Sequence, residues 1–218
     1  MKYKLVIFDL DGTLIDSLAD LGEAVNYAMR SAGFPEHSLT EFRQMVGHGV
    51  RNLVTQALPP EHQADKLCID RCLAEFKEYY TTHIDVHTRP YPGMVELLSE
   101  LHSAGVLLAV ASNKFQDGTE RLVRALFPGI PFVVILGNRD GYPLKPDPEI
   151  VGEALRKAGV ARADAVLVGD SLTDMKTASN GGVPGIAVCW GYRTLETSAD
   201  YILVDSVQML KGILIGKF

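Results

Sequence analysis

The chain has 218 residues, 47% of them hydrophobic and 22% charged, which is enough apolar material for a sizeable core and excludes a disordered chain. Its 3 cysteines, Cys68, Cys72 and Cys189, are too few for a disulfide framework, lack finger-type metal spacing and read as reduced thiols. A formal net charge of -6 with no basic run gives no footing for nucleic acid. The apolar run that follows Met1–Lys4 is too short for a signal peptide or a membrane span, so a cytoplasmic chain is expected.

That run, Leu5-Val6-Ile7-Phe8, is branched and aromatic throughout, the pattern of a strand buried on both faces of a parallel sheet. Asp16-Ser17 can cap a helix carrying Leu18, Leu21, Val25, Ala28 and Met29 at helical spacing. From there to about Thr88 the pattern stays helical, with no second strand, as an all-helical insertion between two strands of an α/β domain would read. From Tyr91 the chain alternates. Pro92-Gly93 opens a helix through His102, Val106–Ala111 reads as a buried strand, and a helix follows to Phe127. Phe132–Leu136 is a strand, Pro148–Ala158 a helix and Ala165–Val168 a strand; Pro184–Val188 and Tyr201–Leu203 are two more, before a helix from Ser206. Strands separated by helices of this length form right-handed parallel crossovers, so the fold class is α/β: a Rossmann-like, doubly wound parallel sheet.

The chemistry collects where strands end. Asp9 and Asp11 follow the first strand and, two apart, point the same way; two like charges that close call for a metal, a shared proton or both. Gly12 permits a sharp turn, and the Thr13 hydroxyl can bond backbone or ligand. Turn and cap chemistry alone would also use these residue types. The second strand ends in Ser112-Asn113-Lys114, whose hydroxyl and backbone N–H groups at a helix start can hold phosphate oxygens, or simply cap the helix. In Lys145-Pro146-Asp147-Pro148, capping accounts for Asp147 and Pro148 but not for Lys145, which can supply a fixed positive charge to an anion. Gly169-Asp170-Ser171-Leu172-Thr173-Asp174 brings two further acids to the same sheet edge, where a helix N-terminus would by itself welcome one of them. Four carboxylates with a phosphate form the setting in which Mg²⁺ binds.

In this order the motifs resemble the haloacid dehalogenase superfamily: D-x-D-x-T at Asp9, Asp11 and Thr13, the strand-end serine at Ser112, the K-P-x-P lysine at Lys145, and G-D-S-x-x-D at Asp170 and Asp174. The resemblance implies a discontinuous catalytic core, residues 1–15 and 90–218, with a small helical cap inserted at 16–89. It implies a Mg²⁺-dependent phosphatase in which Asp9 attacks phosphorus and Asp11 is the general acid and base. Thr13, Ser112, Asn113 and Lys145 would bind phosphate. The metal would be held by Asp9, Asp170 and the backbone carbonyl of Asp11, with Asp174 binding a metal water or orienting Lys145. The cap segment Arg43-Gln44-Met45-Val46-Gly47-His48-Gly49-Val50-Arg51 looks like a substrate-specificity loop, so that Arg43, Gly47, His48 and Arg51 would read the leaving group. With Leu14-Ile15-Asp16-Ser17 it is most similar to phosphoglycolate phosphatases, although His48 departs from their pattern. The expected partner is a small phosphorylated metabolite. A phosphomutase of the same superfamily, β-phosphoglucomutase-like, uses the same four motifs, and a non-catalytic binding or regulatory module is the third reading. The sequence leaves the oligomeric state undetermined.

Overall fold

The computed structural model describes residues 2–216. Strand β1 (Leu5–Phe8) is the centre of a six-stranded parallel sheet. Its side chains are wholly buried, and they alternate between two cores: Val6 and Phe8 join the larger one, Leu5 and Ile7 the smaller. This period-two division is why the run carries no polar residue, and each of these side chains contributes roughly 1.5–3 kcal/mol by leaving water.

Two short strands, β2 (Ile15–Asp16) and β3 (Arg89–Pro90), pair antiparallel and form the neck through which the chain leaves the sheet and returns. Between them lie α1 (Leu18–Ala32), α2 (Leu39–Met45), α3 (Val50–Ala57) and α4 (Lys66–His83). The expectation of no strand between the first helix and Thr88 holds, but this neck was not foreseen, because two residues give no periodicity to detect. The neck is reinforced by Asp20 of α1. Buried, it accepts hydrogen bonds from the backbone N–H groups of His87 and Thr88 and from the Thr88 hydroxyl, at 2.7–2.9 Å.

The remaining elements are α5 (Met94–Ser103), β4 (Leu107–Phe115), α6 (Gln116–Leu126), β5 (Phe132–Asn138), α7 (Glu149–Ala158), β6 (Ala165–Gly169), α8 (Leu172–Gly181), β7 (Gly185–Val188), β8 (Ile202–Val204) and α9 (Val207–Ile215). The strand order is β5-β4-β1-β6-β7-β8, so the doubly wound parallel sheet expected from the pattern is the fold. Among the described residues no helix is long and apolar enough to cross a membrane.

Register decides where the site falls. Phe8 stands level with Val110 of β4 and Val168 of β6, so Asp9, the residues after Val110 and those after Val168 emerge together at the carboxyl edge. Strand order reverses there, the usual ligand crevice of such sheets. β4 runs longer than the apolar pattern indicated: Ser112, Asn113 and Lys114 remain extended, with a register shift against β5, and the helix starts only at Gln116.

Candidate active site

Lys145 is the hub. Its ammonium, buried, donates to Asp9 Oδ1 at 2.8 Å, Asp174 Oδ1 at 2.6 Å and the carbonyl of Ala111 at 2.9 Å, which uses all three donors. Burial opposes its charge, yet the carboxylates of Asp174 and Asp9 outweigh that and hold its pKa above the ordinary lysine range. Asp174 is fixed from the other side by Ser171, the N-cap of α8, whose backbone N–H and hydroxyl donate to Asp174 Oδ2 at 3.1 and 2.6 Å.

Asp170 lies just before α8 and accepts a hydrogen bond from the backbone N–H of Tyr192 at 2.7 Å. Carboxylate oxygens of Asp9, Asp170 and Asp174 lie within 4.8 Å of one another. One lysine cannot balance three acids. Burial and the neighbouring Asp174 push the Asp170 carboxyl up to about 7, and burial also pushes Asp9 well above its ordinary value, although Lys145 opposes it. A divalent cation with a taste for oxygen supplies the missing charge, so the donor set fits Mg²⁺. Gly12 shapes the cradle: its φ is 88°, and a Cβ there would lie 2.3 Å from Asp170 Oδ2.

Asp11 belongs to a different neighbourhood. It accepts the Ser17 hydroxyl at 2.5 Å and the Lys114 ammonium at 3.2 and 3.3 Å, and that ammonium also donates to the Tyr80 hydroxyl of α4 at 2.7 Å. Ser17 was expected to help cap α1; its hydroxyl goes to Asp11 instead, and Asp16 accepts from the Leu18 N–H. The Thr13 hydroxyl is fully buried with no hydrogen-bond partner among the described residues, as suits a group that bonds a ligand oxygen. The Ser112 hydroxyl faces the crevice and accepts the Lys114 N–H, whereas the Asn113 side chain holds structure together, donating to the carbonyls of Gly47 and Lys145 and accepting from the Lys145 N–H.

Asp9, Asp11, Ser112, Asn113, Lys114, Lys145, Asp170 and Asp174 line one cavity of about 50 Å³, closed over by Val46, Gly47, Gly49, Val50 and Leu53 of the helical segment; Thr13 lies behind its wall. Arg43, His48 and Arg51 do not line it. Arg51 pairs with Asp70 in an exposed ion pair, Arg43 is exposed, and His48 meets the Thr173 hydroxyl of α8 at 3.4 Å. Four lining residues lie outside the motifs read from the sequence: Leu21 and Leu53 come from helices of the inserted segment, and Tyr192 and Arg193 follow β7 in a segment with no motif at all. Lys114 was singled out with Ser112 and Asn113 for its backbone N–H, whereas the structure uses its ammonium as well.

Residues 6–188 match the haloacid dehalogenase-like hydrolases. The chain belongs to that family. Similar proteins include a phosphoglycolate phosphatase of Mesorhizobium japonicum, 37% identical over 91% of this chain and 90% of its own length. Another, of Agrobacterium fabrum, is 33% identical over 92% and 88%. Among solved structures, a candidate phosphoglycolate phosphatase from Lactobacillus delbrueckii subsp. bulgaricus superposes with a TM-score of 0.90 at 34% identity, covering 98% of this chain and 99% of that one. CbbY from Rhodobacter sphaeroides, solved in complex with phosphate, superposes at 0.74 with 27% identity over 94% of both chains. This member of the haloacid dehalogenase-like hydrolases is thus a phosphatase of the phosphoglycolate phosphatase-like kind.

Proposed function

We propose that the chain hydrolyses a small phosphate monoester, phosphoglycolate or a close analogue, with Mg²⁺ and through an aspartyl phosphate on Asp9. The observation that carries this reading is the division between the two neighbouring aspartates. Asp9 is locked by Lys145 inside the acid cluster, while Asp11 sits apart among Ser17 and Lys114. Carboxylates in different surroundings are suited to different tasks.

Lys145 fixes one oxygen of Asp9 so that the other can attack phosphorus. The bond from phosphorus to the leaving oxygen breaks, and that oxygen takes a proton from Asp11. In the second half, Asp11 takes a proton from water, the water oxygen bonds to phosphorus, and the bond to Asp9 breaks to release phosphate. Thr13 and Ser112 hold phosphoryl oxygens, Asn113 fixes the loop that carries Lys145, and Lys145 offsets developing negative charge. Bound Mg²⁺, held by the carboxylates of Asp9 and Asp170 and the Asp11 carbonyl, would add charge neutralisation at the phosphoryl group. Asp174 then keeps Lys145 in place.

Residues 16–89 act as a cap over the core formed by 1–15 and 90–218. With the cap seated, Val46, Gly47, Gly49, Val50 and Leu53 close directly over the acids and Lys145, an enclosed site that suits a compact phosphate ester and sets its hydrolysis ahead of a phosphomutase role. The bacterial phosphoglycolate phosphatases similar over most of this chain support the same reading. The deciding experiment follows phosphate release from 2-phosphoglycolate with Mg²⁺, with EDTA, and in Asp9→Asn. We expect turnover only in the first case, with Asp9→Asn folded but inactive, because an amide cannot form the acyl phosphate. Near-normal turnover by folded Asp9→Asn would sink the mechanism.

A further inference from the structure

The crevice is lined by three side-chain cations, and the structure does not use them alike. Lys145 is matched by Asp9 and Asp174, and Lys114 by Asp11. Arg193, in the segment after β7, pairs with no carboxylate among the described residues. Its Nη2 donates to the backbone carbonyls of Gln44 and Val46, at 2.7 and 2.8 Å. Those are the free carbonyls at the carboxyl end of α2, which welcome a cation and set the guanidinium across the boundary between cap and core. Nε and Nη1 have no hydrogen-bond partner among the described residues. The burial that this position imposes works against the charge, and the Asp170 carboxylate favours it without pairing with it. An arginine stays charged under such conditions, so it stands in the crevice wall as a cation without a matching anion.

We propose that Arg193 reads the leaving group: held by the carbonyls of Gln44 and Val46, it offers its remaining N–H donors to a carboxylate carried by the substrate. The inference rests on the phosphatase reading above and adds the residue that would select among small phosphate esters. A carboxylate fits for two reasons. Its planar pair of oxygens matches the guanidinium fork, and it is compact enough to enter, with a phosphoryl group, a crevice closed over by Val46, Gly47 and Leu53. Because the carbonyls that hold Arg193 belong to the cap, the cation is in place only when the cap is seated, so anion recognition and closure over the substrate become one event. The arginines on the cap do not compete for this role, since neither Arg43 nor Arg51 lines the crevice.

The test compares 2-phosphoglycolate with 2-hydroxyethyl phosphate, which has a similar size but a neutral leaving group, using the whole protein with Mg²⁺. For Arg193→Met, kcat/KM on 2-phosphoglycolate should fall at least about tenfold more than on 2-hydroxyethyl phosphate, mostly through KM, with Arg193→Lys intermediate between Met and wild type. Thermal melting of each variant separates this effect from loss of fold, because a fold defect lowers both substrates equally. Equal losses on the two esters would reduce Arg193 to a strut between cap and core and overturn the proposal, as would unchanged kinetics in a folded Arg193→Met. If wild type hydrolyses neither ester, the phosphatase reading itself fails; if it hydrolyses both and the variants do not discriminate, only the role of Arg193 fails.

Discussion

Gly12 shows how much of this site depends on what a single position lacks. Its φ of 88° lies in the left-handed region, and its missing Cβ leaves the space that the Asp170 carboxylate fills. Gly33 provides the control: it ends α1 with a φ of 77° and has no atom within 4 Å of a built Cβ. Gly33→Ala should therefore cost only the backbone term, about 1–2 kcal/mol, and leave turnover near wild type. Gly12→Ala should cost at least as much and, by displacing Asp170, lower kcat by about a hundredfold, the scale of effect that a misplacement near 1 Å has on catalysis. Equal activity in the two variants would mean that the Asp170 position is not critical. Melting curves and phosphate release from the same preparations decide it.

Between elements, polar clasps matter more than their sequence signal suggests. Arg139, directly after β5, pairs with Glu153 of α7 and lies over the Tyr142 ring, 4.1 Å from its centroid. The Arg139 hydrogen bonds hold the Glu153 carboxyl below its ordinary value of 4.5. A depressed carboxyl contributes stability that is complete above the unfolded value and disappears as pH falls through the folded one. Arg139→Met should thus cost about 1 kcal/mol at pH 7 in a urea titration, and the deficit should shrink below about pH 4.5. A deficit independent of pH would assign the effect to packing on Tyr142. Such clasps were invisible in the sequence, as were the β2–β3 neck and the Asp20 bonds that reinforce it, because each joins residues with no periodic relation. The helices and strands with apolar periodicity were legible, and so was the doubly wound parallel sheet that they form. The core acids could be singled out because they follow apolar strand runs, and Lys145 because capping accounts for Asp147 and Pro148 beside it but not for the lysine. Arg193 could not, since nothing local separates it from an ordinary surface arginine until the fold sets it against the crevice.

For the whole molecule, the uncompensated acids of the crevice should couple stability to a divalent cation. Asp9, Asp11, Asp170 and Asp174 converge on a site where Lys114 and Lys145 supply the matched cations, so two acids remain uncompensated within the acid pocket. Folding brings these charges together and the unfolded chain disperses them, so a divalent cation held by Asp9 and Asp170 should bind the native state far better than the unfolded one. At about a hundred times its dissociation constant it would stabilise by roughly 2.7 kcal/mol, which in a chain of this size corresponds to a rise in Tm of about 5–10 °C. Monovalent salt at equal ionic strength should not reproduce the rise, because screening acts weakly on buried groups. Asp170→Asn removes one uncompensated charge and one ligand together. That variant should melt no lower than wild type in EDTA and should gain little from Mg²⁺. A rise with Mg²⁺ as large in Asp170→Asn as in wild type would place the metal elsewhere, and no rise in wild type would remove the cation from the site.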